Sequence, residues 1–199
     1  MNNLLGSRIC GGNTSYKRNA SDFYPTPPEV TNALLDFLRI PYDTKIWEPA
    51  CGRGDMTKVL IERGYKVIGT DIDDGIDYLN ADIPDGIRFI ITNPPFSLSE
   101  QFIKRSIYHN VPFAFLLKSQ YWNAKKRYDL FKKYPPSFVL PLTWRPDFLF
   151  KTRGNGSPLM DVMWCVWDQN RTFGETRFIP LLKPMEGNIH NEDGSSGRQ

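Results

Sequence analysis

Apolar positions along the chain come in two alternating arrangements. Short unbroken runs over Lys45 to Glu48, Tyr65 to Thr70, Arg88 to Thr92 and Pro112 to Leu117 are rich in β-branched and aromatic residues and predict buried strands. Between them, apolar residues recur every three or four positions, the mark of a helix with one buried face. Val30, Leu34, Leu35 and Leu38 form such a stripe behind Thr26-Pro27-Pro28-Glu29, which has the form of a capping box with proline in the first turn. A second helix is expected from Asp55, as N-cap, to Gly64 as the stop. Ser97-Leu98-Ser99-Glu100 caps a third, with Phe102, Ile103, Ser106 and Ile107 turned inward. A weaker strand is expected over Tyr78 to Asp82. Strands and helices in alternation predict a mostly parallel α/β sheet with crossover helices. The rhythm then changes, and Ser137 to Leu142 with Val162 to Trp167 predict a terminal antiparallel hairpin.

The ends are polar. Residues 1–21 are expected to be a flexible arm and 184–199 a disordered tail, leaving 22–183 as one domain. With 199 residues and 40% hydrophobic positions, the chain can bury a real core. No apolar run approaches the roughly 20 residues of a membrane span. The start, Met1 to Gly6, lacks a basic region followed by an apolar stretch, so a cytoplasmic location is expected. Cys10, Cys51 and Cys165 are too scattered for a disulfide framework or a paired metal site, and His109 and His190 stand alone, read as surface residues. No metal is expected.

In an open α/β sheet, ligands bind beyond the carboxyl ends of the strands. Three such ends carry unusual residues. After the first strand comes Glu48-Pro49-Ala50-Cys51-Gly52-Arg53-Gly54, where two glycines allow a tight turn beside a helix N-terminus. The third glycine of a dinucleotide fingerprint is missing, since position 57 is Thr57. Asp71 ends the second strand, placed to accept from both hydroxyls of a ribose. Asp82, further on, is placed to accept from an adenine amino group. Together they point to an adenosine-bearing cofactor.

The sharpest signal is Asn93-Pro94-Pro95-Phe96, directly after an apolar strand. The Asn93 amide oxygen and the Pro94 carbonyl are two converging acceptors, which is what an exocyclic amino group, a double donor, requires. Such an amine is a poor nucleophile because its lone pair is delocalised into the ring. Holding both N–H bonds favours the pyramidal amine of the transition state over the planar ground state. Phe96 can stack on the base.

On these residues the chain resembles class I S-adenosylmethionine-dependent methyltransferases, specifically the small phage-type DNA amino-methyltransferases that make N6-methyladenine. The resemblance implies a Rossmann-like fold with helices on both faces of the sheet, and S-adenosylmethionine as cofactor. Tyr24, Thr26 and Pro27, within Asp22 to Pro27, are similar to the family's N-terminal cofactor motif. Glu48, Pro49, Ala50, Cys51, Gly52 and Gly54 are similar to its glycine-rich loop. Asp71 with Ile72 would hold the ribose, Asp82 with Ile83 the adenine, and Asn93 would border the cofactor as well as the target. Asn93, Pro94, Pro95 and Phe96 match the catalytic motif, which also serves enzymes acting on RNA bases, cytosine N4 and protein glutamine.

Charge bears on the polymer. The net charge of +3 divides into −3 up to Ser97 (10 basic, 13 acidic) and +6 beyond it (15 basic, 9 acidic). Lys118, Lys125, Lys126, Arg127, Lys132 and Lys133 are interleaved with Tyr121, Trp122 and Tyr128, a composition suited to a phosphate backbone and unstacked bases, or equally to a helix with a solvated lysine face. Arg145, Phe148 and Ser157 fall where the family places part of its target-base pocket. Candidate substrate contacts are therefore Phe96, Lys118, Tyr121, Lys125, Arg127, Arg145, Phe148 and Ser157, with DNA as partner and either a monomer or a homodimer allowed. The expected activity is base flipping and direct transfer to adenine N6. The alternatives are an N-methyltransferase for an RNA base, cytosine N4 or protein glutamine, and a catalytically silent DNA-binding subunit. Little chain remains after the catalytic motif for a separate target-recognition region, so short loop-based recognition or low sequence specificity is expected.

Overall fold

The structure, a computed structural model, describes residues 24–148, 160–171 and 174–185. The expected arm 1–21 and nearly all of the tail lie outside these residues, as do Cys10, Ser157 and His190. Strands β1 (Lys45–Glu48), β2 (Lys66–Gly69), β3 (Phe89–Thr92), β4 (Phe113–Lys118), β5 (Phe138–Pro141), β6 (Val162–Trp167) and β7 (Arg177–Phe178) form one seven-stranded sheet in the order β2-β1-β3-β4-β6-β5-β7. β1 to β4 run parallel, and β6 enters antiparallel between β4 and β5. The hairpin expectation holds, and β7, too short to show a pattern in the sequence, adds a parallel edge strand beside β5.

Alternation along each strand divides the core in two. Ile46, Ile91, Ala114, Leu116, Leu140 and Trp164 face helices α1 (Pro28–Leu38) and α2 (Asp55–Glu62). Trp47, Ile90, Phe115, Leu117 and Cys165 face α3 (Ser99–His109) and the short α4 (Tyr128–Lys133). Helices thus cover both faces, as a parallel sheet demands. The β6 tryptophans are packing residues: Trp164 donates its indole N–H to the Val30 carbonyl at 3.0 Å, and Trp167 stacks on Phe113 with centroids 4.7 Å apart.

Several local expectations are corrected. Thr26 does not cap α1; the helix begins at Pro28, where rigid φ geometry replaces a cap, and the Thr26 hydroxyl is used elsewhere. Gly54, in the left-handed region at φ 83°, rather than Asp55 precedes α2. Leu98 precedes α3, while Ser99 donates its hydroxyl back to the Pro95 and Phe96 carbonyls and so ties the helix to the turn before it. No strand forms over Tyr78 to Asp82. Asp77 accepts there from Leu79 N–H and the Asn80 amide, folding the segment into turns, and Tyr78 is buried between Trp47 and Phe102 with its hydroxyl bonded to Ser106. His109 is half-buried against Trp47 and Tyr78, since the inner edge of α3 carries it onto this aromatic cluster rather than into solvent.

Tyr78 therefore anchors the stretch that was expected to be a strand. Tyr78→Phe removes one buried hydrogen bond and is expected to cost about 1 kcal/mol, whereas Tyr78→Ala opens a cavity and costs about 3–5 kcal/mol, both read from urea unfolding midpoints.

Candidate active site

The parallel register aligns the carboxyl ends of β1, β2, β3 and β4 along one edge, with Glu48 opposite Gly69 and Thr92 opposite Phe115. From this edge emerge the glycine-rich loop, the Asp71 turn, the Asn93-Pro94-Pro95-Phe96 turn and Lys118. The sequence placed these ends correctly because each strand is bounded by residues that cannot continue it.

The loop after β1 is held from two sides. Cys51 N–H donates to the Thr70 carbonyl at 3.0 Å, and Gly52 N–H donates to the Asp71 carboxylate at 2.8 Å. Gly52 and Gly54 adopt φ of 52° and 83°, which a β-carbon disfavours. The second carboxylate oxygen of Asp71 accepts from Asp73 N–H at 3.1 Å, so the side chain is fixed while each oxygen keeps further acceptor capacity. Ile72, 64% exposed, presents bare apolar surface beside it, and Ile83 is half-buried. Asp82 stands fully exposed, 4.0 Å from Arg105, which also donates to the Ala81 carbonyl.

Glu48 sits beneath the loop, 2% exposed, and accepts from the Thr57 hydroxyl. Burial pushes its carboxyl up to about 8, with Asp55 and Asp71 adding in the same direction against the Thr57 bond. Thr57 stands where a dinucleotide fingerprint would have its third glycine. Its role was not drawn from the sequence, although the departure from glycine was the signal. Cys51 is half-buried above Glu48, and burial raises its thiol to about 11. Cys165 is fully buried in β6 and raised further still, so neither thiol is an activated nucleophile.

The second half of the site is built around one amide. Asn93 Nδ2 donates to the Tyr24 carbonyl at 3.0 Å and to Thr26 Oγ1 at 3.1 Å. Both amide hydrogens are consumed, and Oδ1 is left buried without a hydrogen-bond partner. Such an orphaned acceptor costs on the order of 1–3 kcal/mol, and it stands directly after β3, whose carboxyl end lies on this edge. Pro94 is buried beside it, and Pro27 is buried behind Thr26. The Phe96 ring lies 5.5 Å from the Tyr24 ring, and the Lys118 ammonium lies 4.4 Å from its centroid. Phe148, 2% exposed, meets Tyr24 edge-on at 6.2 Å.

The remaining candidates divide. Tyr121 is 6% exposed, with Arg127 lying over its ring at 4.0 Å and donating to its backbone carbonyl at 2.7 Å. Lys125 is exposed in the turn before α4, and Arg145 is exposed and ion-paired with Asp161 at 2.7 Å. Tyr121 and Arg127 line a cavity of about 290 Å³ that also touches Phe96, while Arg145 is not among its lining residues. Glu100, Gln101 and Lys104 belong to that cavity and were missed by sequence reasoning, because their place on α3 looked like an ordinary solvated face. Among the described residues no three His, Cys, Asp or Glu side chains are grouped to hold a metal, and no helix is long and apolar enough to cross a membrane.

No protein-family model matches the sequence, and no curated protein matches it. Solved structures do. The type I restriction-modification methyltransferase subunit from Streptococcus thermophilus is similar at TM-score 0.59 and 15% identity, over 88% of this chain and 50% of its own. A modification subunit of a putative type I restriction enzyme from Vibrio vulnificus YJ016 is similar at TM-score 0.58 and 12% identity, over 92% and 51%. The 23S rRNA methyltransferase ErmE follows at TM-score 0.50 and 9% identity, over 73% and 70%. The chain therefore has the Rossmann-like fold of these methyltransferases, and it spans about half the length of the two restriction-system subunits.

Glu48 gives the site a pH signature. The unfolded chain loses this proton near pH 4.5, whereas the fold retains it to about pH 8. The contribution is therefore fully present below about 4.5 and is lost as pH rises through about 8, with an upper bound of about 5 kcal/mol. Glu48→Gln keeps an acceptor for Thr57 and removes the titration. Its melting temperature is expected to gain on the natural protein between pH 5 and pH 8, as measured by thermal unfolding at both.

Proposed function

We propose that this protein is an S-adenosylmethionine-dependent methyltransferase acting on the N6 amino group of adenine in DNA. One observation carries the reading: the buried Asn93 Oδ1, pinned in orientation and lacking any donor, next along the chain to the Pro94 carbonyl. An acceptor left unsatisfied in the protein is matched by a ligand that brings its own N–H groups. The fold likeness to methyltransferases and the strand-end geometry support the same conclusion.

The residues fit the cofactor. Asp71 retains acceptor capacity for ribose hydroxyls, Ile72 and Ile83 offer apolar surface to an adenine, and the left-handed turn at Gly52 and Gly54 keeps β-carbons out of the approach. Glu48 and Tyr24 border the end where a cationic amino-acid moiety would lie. When bound, the cofactor supplies an electrophilic methyl group on a sulfonium. The protein's own part is to position the nucleophile. Asn93 Oδ1 and the Pro94 carbonyl accept from the two N–H bonds of the base and localise its lone pair. The Phe96 ring stacks on the base, and extrusion from a duplex is required to reach it.

DNA is favoured over a glutamine side chain by charge. Between Leu98 and Tyr134 there are 8 basic and 2 acidic residues, so the whole +6 excess of the second half lies in this segment, beside the Asn93 turn. We read residues 22–183 as one methyl-transfer unit.

The test is direct. Incubation with labelled cofactor and unmethylated DNA, followed by digestion to nucleosides, is expected to place the label in N6-methyladenine. Label confined to N4-methylcytosine, or none, overturns the adenine assignment. Asn93→Ala is expected to lower transfer, measured at saturating cofactor, by at least about a hundredfold.

A further inference from the structure

Phe96 also lines the cavity of about 290 Å³ between the first turns of α3 and the Lys125–Arg127 turn. Its wall includes Phe96, Glu100, Lys104, Tyr121, Lys126 and Arg127. Three cations face one carboxylate. Lys104 pairs with Glu100 at 2.9 Å, which leaves the charge of Lys126 and Arg127 in excess. The Glu100 carboxyl is held below its usual range by the Lys104 hydrogen bond first, with Lys126 and Arg127 acting on it as well, so these groups share one electrostatic space. Arg127 is preorganised: its guanidinium lies 4.0 Å over Tyr121, one terminal nitrogen donates to the Tyr121 carbonyl, and its Nε is buried without a partner. Lys126 is exposed at the mouth.

We propose that this cavity seats a phosphodiester group of the DNA strand carrying the target base, immediately adjoining the flipped nucleotide. The inference rests on the adenine-methylation reading and deepens it by naming the backbone contact. Phe96 follows the acceptor pair of Asn93 and Pro94 in the same turn and also lines the cationic cavity. A nucleotide stacked on Phe96 carries its phosphate toward Arg127 and Lys126, where a planar fork and a point charge meet a single anionic group. Anchoring that phosphate gives the strand a fixed pivot about which the base rotates out. A glutamine side chain in a protein offers no such anion.

The experiment uses the full chain and a short single-stranded DNA bearing one adenine, in which each phosphate in turn is replaced by an uncharged methylphosphonate. Binding is read by fluorescence anisotropy without cofactor. Neutralising one phosphate next to the adenine is expected to weaken binding to the natural protein by about tenfold. Lys126→Ala, which leaves only Arg127 on that phosphate, should lose severalfold less on that one replacement than the natural protein yet remain equally sensitive to the others, with a salt slope shallower by about one. Lys58→Ala, on the exposed face of α2, serves as the charge control. Equal sensitivity of Lys126→Ala and the natural protein at every position overturns the proposal, as does a natural protein that binds no oligonucleotide. Inorganic phosphate should compete no better than chloride at equal ionic strength; competition that Lys126→Ala abolishes would mark a free-anion site and overturn it too. Calorimetry of the natural protein with S-adenosylmethionine reports separately on the methyl-transfer reading.

Discussion

An amide side chain has two hydrogens and one oxygen to place, and at Asn93 both hydrogens are directed at oxygens of the segment that precedes α1. Turning the amide over would set its oxygen against the Tyr24 carbonyl, so the atom left without a partner is an acceptor. The rest of the active edge depends on this choice. β3 delivers the residue because it is buried on both faces, and the segment before α1 presents Tyr24 and Thr26, followed by two prolines that fix the entry to the helix. Ser99 then fastens the following turn to α3, so Phe96 is held at a set distance from the amide.

The charge pattern follows the same partition. Around the glycine-rich loop, Asp71 is tied to backbone N–H groups, and Glu48 is buried with its carboxyl pushed up. On the opposite side, cations gather between Leu98 and Tyr134 around a ring shared with the amide pocket. A mild net charge thus conceals an uneven distribution: −3 up to Ser97 and +6 beyond it.

Much of this was legible in the sequence. Each of the first four strands, the hairpin and the three strand-end motifs could be read from local pattern, since a buried parallel strand is a short apolar run and its end is where the run breaks. What was hidden depended on partners distant along the chain. Thr26 looked like a cap because its neighbours have the right spacing, yet a buried amide 67 residues away claims its hydroxyl. Tyr78 looked like part of a strand because it is aromatic, yet Asp77 turns the backbone around it. Thr57 looked like a missing glycine and is a donor to Glu48. The cavity beside Phe96 could not be seen at all, because α3 and the Lys125–Arg127 turn meet only in three dimensions.

The bond from Asn93 to Tyr24 spans 69 residues and the indole bond from Trp164 to Val30 spans 134. Both end on the same short stretch, which contributes no strand to the sheet. Closing loops of that length carries an entropic cost that is recovered only when the sheet is already in place. A partly folded chain can therefore own every strand and still lack an oriented acceptor. Orientation of the acceptor and closure of the core around Trp164 therefore depend on the same stretch, and its undocking would disturb both.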